Sequence, residues 1–170
     1  MTGKLFLDDL QVGDRWVSEM RELTHQDVRA FAKLTGDLNP LHLDPDYAGQ
    51  TPFRRPIAHG LLTMAISAGL GSIAPELHEV VLVSVDDWRF CRPVYPGDRL
   101  YLVNEVMSIE GVTRRRGQVT WLRQLYNHDG DLVQSGLFKT LVAARSGRRV
   151  LNGAETEYVT SADELPAYPR

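Results

Sequence analysis

The sequence predicts an α+β fold in which a mainly antiparallel sheet wraps a single buried helix. Residues 59–74 (HGLLTMAISAGLGSIA) are apolar on nearly every side, which is the pattern of a helix buried all round. Four strand-like segments follow with no helical pattern between them, so the strands are expected to pair mainly antiparallel. The length of 170 residues corresponds to one domain, at roughly 100–200 residues per domain.

Two elements are predicted before the buried helix: a strand over residues 15–23 and a first helix over His25–Thr35. Thr24 and Asp27 form a capping pair at the start of that helix, and Gly36 ends it. The helix has one apolar face, so we expect it to pack on the core.

A turn-rich connection over residues 37–42 follows the first helix, because Pro40 pushes Asn39 away from helical geometry. Asp44 is followed by proline, which is the pattern of an N-cap with proline at the first helical position. A short helix that extends to Ala48 is therefore expected.

The sheet is predicted from strand-like segments at residues 80–90, 99–109, 113–126 and 132–144. Turn signals separate them at residues 96–98, 110–111 and 128–130, the last of which contains an Asp-Gly hairpin signal. The domain is expected to span residues 1–145, and the polar residues 146–170 are expected to form a C-terminal extension.

Composition and charge exclude several classes of protein. The chain has 19 Lys+Arg and 22 Asp+Glu, a formal net charge of −3, which argues against a nucleic-acid binder. The single cysteine, Cys91, excludes a disulfide framework and a multi-cysteine zinc site, and we expect it to be a small buried apolar residue. No signal peptide or membrane-spanning stretch is recognisable, so a cytoplasmic protein that does not enter the membrane is expected.

The densest group of reactive side chains is Asp37, Asn39 and His42, all on one short connection. A carboxylate and an imidazole held close together can bind one water, with one group taking a proton while the other gives one. Such a pair suits the addition or removal of water. The alternative is that Asp37 and Asn39 cap turns and that His42 is a hydrogen-bonded loop histidine.

Three segments of the chain resemble one known family. Residues 31–42 (FAKLTGDLNPLH), followed after five residues by Ala48, resemble the hydratase 2 signature of MaoC-like (R)-specific enoyl-CoA hydratases. Residues 56–62 (PIAHGLL) resemble the segment that opens the central helix of that family, and residues 88–98 (WRFCRPVYPGD) resemble its strand-turn-strand segment. The three segments occur in the family's order, which favours the functional interpretation of the reactive group.

The resemblance implies a hot-dog fold, in which a curved antiparallel sheet wraps a long central helix. It implies that Asp37 and His42 activate the water that adds across the double bond of a trans-2-enoyl thioester, giving an (R)-3-hydroxyacyl-CoA. Asn39 would brace their loop, and the backbone N–H of Gly60 would stabilise charge on the thioester oxygen. Coenzyme A would be part of the substrate, and no separate cofactor is expected. A homodimer is expected, because one hot-dog leaves a sheet edge and a helix flank uncovered.

Further side chains are candidates for the same site. Substrate contacts are predicted for Asn39, His59, Leu61 and Thr63, although His59 is equally consistent with a structural histidine. Ser67 falls inside the helix, so it is interpreted as a packing residue and not as a hydrolase nucleophile. The arginines that could bind the phosphates of coenzyme A are Arg54, Arg55, Arg92, Arg114, Arg115, Arg116, Arg145, Arg148 and Arg149.

His42, Asp44 and Asp46 together have the residue types of a metal site, but a helix cap and a surface acid explain the two aspartates more simply, so no metal is predicted. Two other functions remain open for the same fold. A hot-dog thioesterase would hydrolyse the acyl-CoA, and a non-catalytic module would only bind it.

Overall fold

The computed structural model describes residues 3–78 and 81–145, so the predicted extension at residues 146–170 lies outside the described residues. The helices are α1 (His25–Thr35), α2 (Pro40–Leu43), α3 (Pro45–Gly49) and α4 (Gly60–Gly71), and a 3-10 turn covers Leu7–Asp9. The strands are β1 (Arg15–Val17), β2 (Arg21–Glu22), β3 (Val81–Phe90), β4 (Arg99–Glu110), β5 (Arg116–Asn127) and β6 (Leu132–Ala143). None of the helices in these residues is long and apolar enough to cross a bilayer.

The six strands form one antiparallel sheet in the order β1-β4-β5-β6-β3, with β2 also paired to β4. Glycines with positive φ, Gly111 and Gly130, form the turns that join β4 to β5 and β5 to β6. The α+β class and the antiparallel sheet predicted from the sequence are therefore confirmed.

Helix α4 lies against the sheet between two apolar clusters. One cluster joins Leu62, Ile66 and Leu70 of α4 to α1 and to the nearer ends of β4 and β5. The other is centred on Trp121 and Phe138, with further side chains of β4, β5 and β6 and of the 3-10 turn. Because burial of apolar area is the main driving force of folding, these clusters fix the position of α4 over the sheet.

The first helix begins and ends where the sequence predicts. The Thr24 hydroxyl accepts a hydrogen bond from the Asp27 N–H at 3.1 Å, and the Asp27 carboxylate accepts one from the Thr24 N–H at 2.9 Å. Gly36 ends the helix in the left-handed conformation at φ 78°. The capping pair therefore satisfies N–H groups that have no acceptor within the helix.

The predicted strand over residues 15–23 is divided in two. The Leu102 N–H donates to the Ser18 side-chain oxygen at 2.9 Å, whereas the Ser18 N–H donates to the Leu102 carbonyl at 2.9 Å. A hydroxyl thus replaces a backbone acceptor in the ladder, and regular pairing is interrupted between β1 and β2.

Two burial predictions were wrong. Helix α4 is not buried all round, because Leu61, Ala65 and Gly69 form an exposed stripe at four-residue spacing, with Leu61 63% exposed. Cys91 is exposed rather than buried, because it follows the end of β3, where the chain leaves the sheet.

A cationic side chain lies inside the domain near the end of α4. Arg123 of β5 is 5% exposed, and its guanidinium carbon lies 4.2 Å from the centre of the Phe138 ring. Burial lowers the pKa of Arg123 to about 10. A Cβ at Gly71 would lie 2.5 Å from that guanidinium carbon, so glycine at this position makes room for the arginine.

We predict that Gly136→Ala destabilises the protein by roughly 1–3 kcal/mol, the usual cost of overpacking. A Cβ there would lie 2.6 Å from the Trp88 ring and 2.8 Å from the Trp88 Cα, so backbone would have to move. Urea unfolding monitored by circular dichroism measures the change. Gly49→Ala is the matched control, because the nearest atom to its Cβ is 4.0 Å away, and it should leave stability unchanged or slightly raised. Equal stability of the two variants would contradict the packing described here.

Candidate active site

The connection between α1 and α2 presents the first group of candidate residues. The Asn39 side-chain oxygen accepts a hydrogen bond from the Leu41 N–H at 2.9 Å, and Pro40 follows it as the first residue of α2. An Asp37 carboxylate oxygen accepts the Asn39 N–H at 3.4 Å. The two side chains therefore form the turn that their residue types predict, and part of the predicted connection is a short helix.

His42 and His59 lie face to face, with ring centres 3.8 Å apart and planes inclined by 29°. His42 Nδ1 lies 2.8 Å from the Ile57 carbonyl oxygen, and His59 Nε2 lies 3.0 Å from the Asp37 carbonyl oxygen. Because a carbonyl oxygen only accepts, each of these nitrogens carries the hydrogen. The sequence left open whether His59 is structural; its contacts show that it holds both the Asp37 loop and the His42 ring.

The carboxylate of Asp37 completes this cluster. One of its oxygens, one nitrogen of His42 and one nitrogen of His59 all lie within 4.8 Å of one another. The Asp37 side chain is 53% exposed, and His59 is buried. A single water can bridge polar groups at such separations, so the cluster can hold a water beside the His42 ring.

The same three residues have the types of a metal site, but their geometry favours water. A metal ion lies close to the plane of each imidazole that binds it, and the two rings here are stacked. The Asp44 carboxylate caps α3, as predicted, by accepting the N–H groups of Asp46 and Tyr47.

His42 also forms part of the wall of a cavity of about 330 Å³. The first turn of α4 supplies Gly60 and Thr63 to the same wall. Most of the remaining wall is apolar, with further lining residues Phe53, Ile57, Ala58, Phe90, Cys91, Arg92, Pro93, Val94 and Gln134. The cavity therefore combines one imidazole and one helix start with an apolar interior, as small-molecule sites commonly do.

The predicted substrate contacts are distributed unequally around this cavity. Thr63 lines it, whereas Asn39, His59 and Leu61 are absent from its wall. Asn39 caps α2, His59 lies behind His42, and Leu61 belongs to the exposed stripe of α4. Ser67 is buried and donates to the Met64 carbonyl at 2.7 Å, which fits its interpretation as a packing residue.

Gly60 is placed so that its backbone faces the cavity. It is the first residue of α4, and the first N–H groups of a helix have no acceptor within the helix and carry partial positive charge. A Cβ at Gly60 would lie 2.8 Å from a carbon of the Phe90 ring. Glycine here therefore allows the aromatic ring to lie against the start of the helix.

Gln134 is a polar lining residue that the sequence reasoning missed. It lies on β6, is 2% exposed, and donates from its side-chain nitrogen to the Gly60 carbonyl at 3.1 Å and to the Thr63 hydroxyl. The one signal in the sequence is a polar residue within an otherwise strand-like segment, which does not by itself show which face it occupies.

Among the candidate arginines, Arg92 lines both this cavity and a neighbouring one of about 340 Å³. A guanidinium nitrogen of Arg92 lies 3.1 Å from a carboxylate oxygen of Asp131. In the neighbouring cavity, the guanidinium carbon of Arg55 lies 3.9 Å from the centre of the Tyr95 ring. Arg145 pairs with Asp9 at 2.6 Å. Arg115 and Arg116 line a third cavity, and Arg148 and Arg149 lie outside the described residues.

We predict opposite neutral tautomers for the two stacked histidines. His42 should carry its hydrogen on Nδ1, because Ile57 accepts there, and His59 on Nε2, because Asp37 accepts there. Long-range ¹H–¹⁵N correlation spectra of the imidazoles, recorded at a pH where both rings are neutral, measure this directly. Protonation of the same nitrogen in both rings would contradict the site geometry.

Comparisons with known proteins show the family of the chain. Residues 12–124 match the family model for the MaoC-like domain. The chain is 38% identical over 112 residues to the 3-hydroxybutyryl-CoA dehydratase of Methylorubrum extorquens, covering 65% of this chain and 69% of that protein. It is 30% identical over 141 residues to an (R)-specific enoyl-CoA hydratase of Rhodospirillum rubrum, covering 82% of this chain and 93% of that protein.

The fold is also that of a solved structure with little sequence similarity. A conserved hypothetical protein from Mycobacterium tuberculosis, described as having a double hot-dog fold, superposes with a TM-score of 0.77 at 20% identity. The match covers 98% of this chain and 52% of that one, and it confirms the predicted hot-dog fold. On the match to the family model, the chain belongs to the MaoC-like domain family of hydratases and dehydratases.

Proposed function

We propose that this protein adds water across the trans-2 double bond of an enoyl-CoA to give an (R)-3-hydroxyacyl-CoA, and catalyses the reverse dehydration. The observation that carries this proposal is the placement of His42 and Gly60 on the wall of one mostly apolar cavity, with the Asp37 carboxylate beside His42. The names of the two relatives, a dehydratase and a hydratase of acyl-CoA, support the same reaction class.

In this mechanism, a water held by Asp37 and His42 attacks the β-carbon of the enoyl thioester. His42 has Nδ1–H bound to a carbonyl, so Nε2 is the ring nitrogen available to accept a hydrogen bond from the water. One proton of the water passes to this acid–base pair, and its hydroxyl bonds to the β-carbon. The electron pair of the double bond moves toward the thioester oxygen to give an enolate. When the enolate collapses, the acid–base pair of Asp37 and His42 returns the proton to the α-carbon.

The charge that develops on the thioester oxygen requires fixed donors. The Gly60 N–H at the start of α4 is the candidate, because it lies at the positive end of the helix and on the cavity wall. Removal of a comparable donor in other enzymes costs roughly 10²–10³ in kcat. The apolar wall strengthens this interaction, since electrostatic attraction grows as the local dielectric constant falls.

The proposed homodimer is supported by two uncovered apolar surfaces, the edge strand β3 and the exposed stripe of α4. Strand β3 is a sheet edge in the described residues, with Val81 60% and Leu82 53% exposed. Phe90, at the end of this strand, lies against the start of α4, whose exposed stripe includes Ala65. Long apolar sheet edges are normally covered, and a second copy that uses the same surface covers both features at once.

We predict that Asp37→Asn and His42→Gln each lower kcat/KM for a trans-2-enoyl-CoA by roughly 10²–10⁴, the usual contribution of acid–base catalysis. Loss of the conjugated enoyl absorbance measures the rate over a panel of acyl chain lengths. Asp46→Asn and His25→Gln are matched controls, because both residues are exposed and belong neither to the cavity wall nor to the cluster of Asp37, His42 and His59, and they should retain the activity of the unchanged protein.

The same assay separates the alternatives. Release of free thiol from an acyl-CoA, without hydration, would establish the thioesterase instead. Tight binding of acyl-CoA with neither reaction would establish a binding module. Hydration at unchanged rates in both Asp37→Asn and His42→Gln would contradict the mechanism while leaving the activity in place.

For the dimer, we predict that Ala65→Glu converts a species of twice the 19.1 kDa chain mass into a monomer. In a two-fold contact through the stripe, the new carboxylates of both copies would be brought close together and repel each other. Light scattering coupled to size-exclusion chromatography at micromolar concentration measures the mass. Leu34→Glu on α1, where the side chain is 82% exposed, is the control and should remain a dimer. A monomeric unchanged protein, or a dimeric Ala65→Glu variant, would contradict the assignment.

A further inference from the structure

We infer that Gln134 is a positioning residue that fixes the first turn of α4 and thereby the direction of the Gly60 N–H. The inference rests on the proposed function, because it gives that N–H its role at the thioester oxygen. It concerns a side chain on β6, a strand to which the sequence analysis assigned no part of the site.

The start of α4 is held differently from the starts of the other α-helices described. Side-chain oxygens of Thr24, Asn39 and Asp44 accept backbone N–H groups at the starts of α1, α2 and α3. Residue His59 occupies the same position before α4 and makes no side-chain cap. Within the described residues the Leu62 N–H donates to the His59 carbonyl at 3.1 Å, whereas the Gly60 N–H has no acceptor and is available to a ligand.

In place of a cap, two side chains bind the Gly60 carbonyl in the first turn of α4. The Gly60 carbonyl accepts the Thr63 hydroxyl at 2.9 Å and the Gln134 side-chain nitrogen at 3.1 Å. The Gln134 nitrogen also donates to the Thr63 oxygen, so the three groups form a closed triangle. All three residues line the cavity. The Gly60 carbonyl shares its peptide plane with the Leu61 N–H and is joined to the Gly60 N–H through the two backbone angles of Gly60. These angles are least restricted in glycine, so a restraint on the carbonyl narrows the directions that the Gly60 N–H can take.

The oxygen of the same amide adds a cost that the two donated hydrogen bonds have to offset. It is buried and has no hydrogen-bond partner among the described residues. A buried polar atom without a partner is destabilising, and an apolar side chain of similar size would avoid it. We therefore expect Gln134 to contribute little to stability, so that its main effect is on the first turn of α4.

The test compares Gln134→Leu with Gln124→Leu, a matched substitution on β5 outside the cavity wall. Gln134→Leu should lower kcat roughly 10- to 100-fold, as a misplaced catalytic group does, with KM changed less than about threefold. Its pH–rate profile should keep the midpoints of the unchanged protein, and its melting temperature should be equal or higher. Gln134→Glu keeps an oxygen acceptor but loses both donated hydrogen bonds, so it should not restore kcat.

A second readout does not require turnover. The ¹⁵N order parameter of the Gly60 amide should be near 0.85 in the unchanged protein, fall toward 0.6 in Gln134→Leu, and stay unchanged in Gln124→Leu. An unchanged protein without hydratase activity, but with this loss of order in Gln134→Leu, would overturn the proposed function and support the positioning role. Full kcat and a rigid Gly60 in Gln134→Leu, in an active hydratase, would overturn the inference alone.

Discussion

The site depends on how one uncapped helix start is held against the sheet. Helix α4 begins on the cavity wall at Gly60 with no side-chain cap, and the Gly60 N–H has no acceptor among the described residues. Its position is set from two sides: the Gln134 amide binds the first turn from β6, and His59 binds the Asp37 carbonyl. The proposed donor at Gly60 and the loop of the proposed acid–base pair are thereby joined through the adjacent residues His59 and Gly60.

The same packing requires a glycine at each end of α4. Gly60 admits the Phe90 ring, and Gly71 at the other end admits the buried Arg123 guanidinium. A cation near the C-terminal end of a helix is favourable, because that end carries partial negative charge. The two apolar clusters lie on either side of the helix and hold it over the sheet, so its N-terminus is kept at the cavity.

Much of the fold could be predicted because its signals are local. The capping pair of α1, the glycine turns and the apolar run of α4 depend on neighbouring residues, and all three are present in the structure. The exposed stripe of α4 was missed because every residue in it is apolar or small, so periodicity gave no polar face. The break in the first strand depends on one Ser18 hydroxyl contacting a strand 84 residues away.

In the candidate site, too, local motifs could be predicted and contacts between distant residues could not. Asp37 and His42 were predicted from a short motif, and the structure brings their side chains together. Gln134 lies 74 residues from Gly60, and only strand pairing brings them into contact, so no spacing in the sequence could reveal it. The placement of His59 behind His42, and not on the cavity wall, likewise depends on tertiary packing.

If Asp37 and His42 both hold the attacking water and return the proton, then hydroxyl and proton reach the same face of the double bond. Hydration of a trans-2-enoyl-CoA in D₂O, followed by NMR assignment of the product configuration, measures this. We expect syn addition, with deuterium at the α-carbon and hydroxyl at the β-carbon on the same face, and an R hydroxyl. Anti addition, or deuterium scrambled over both faces at the first turnover, would rule out delivery by a single acid–base pair.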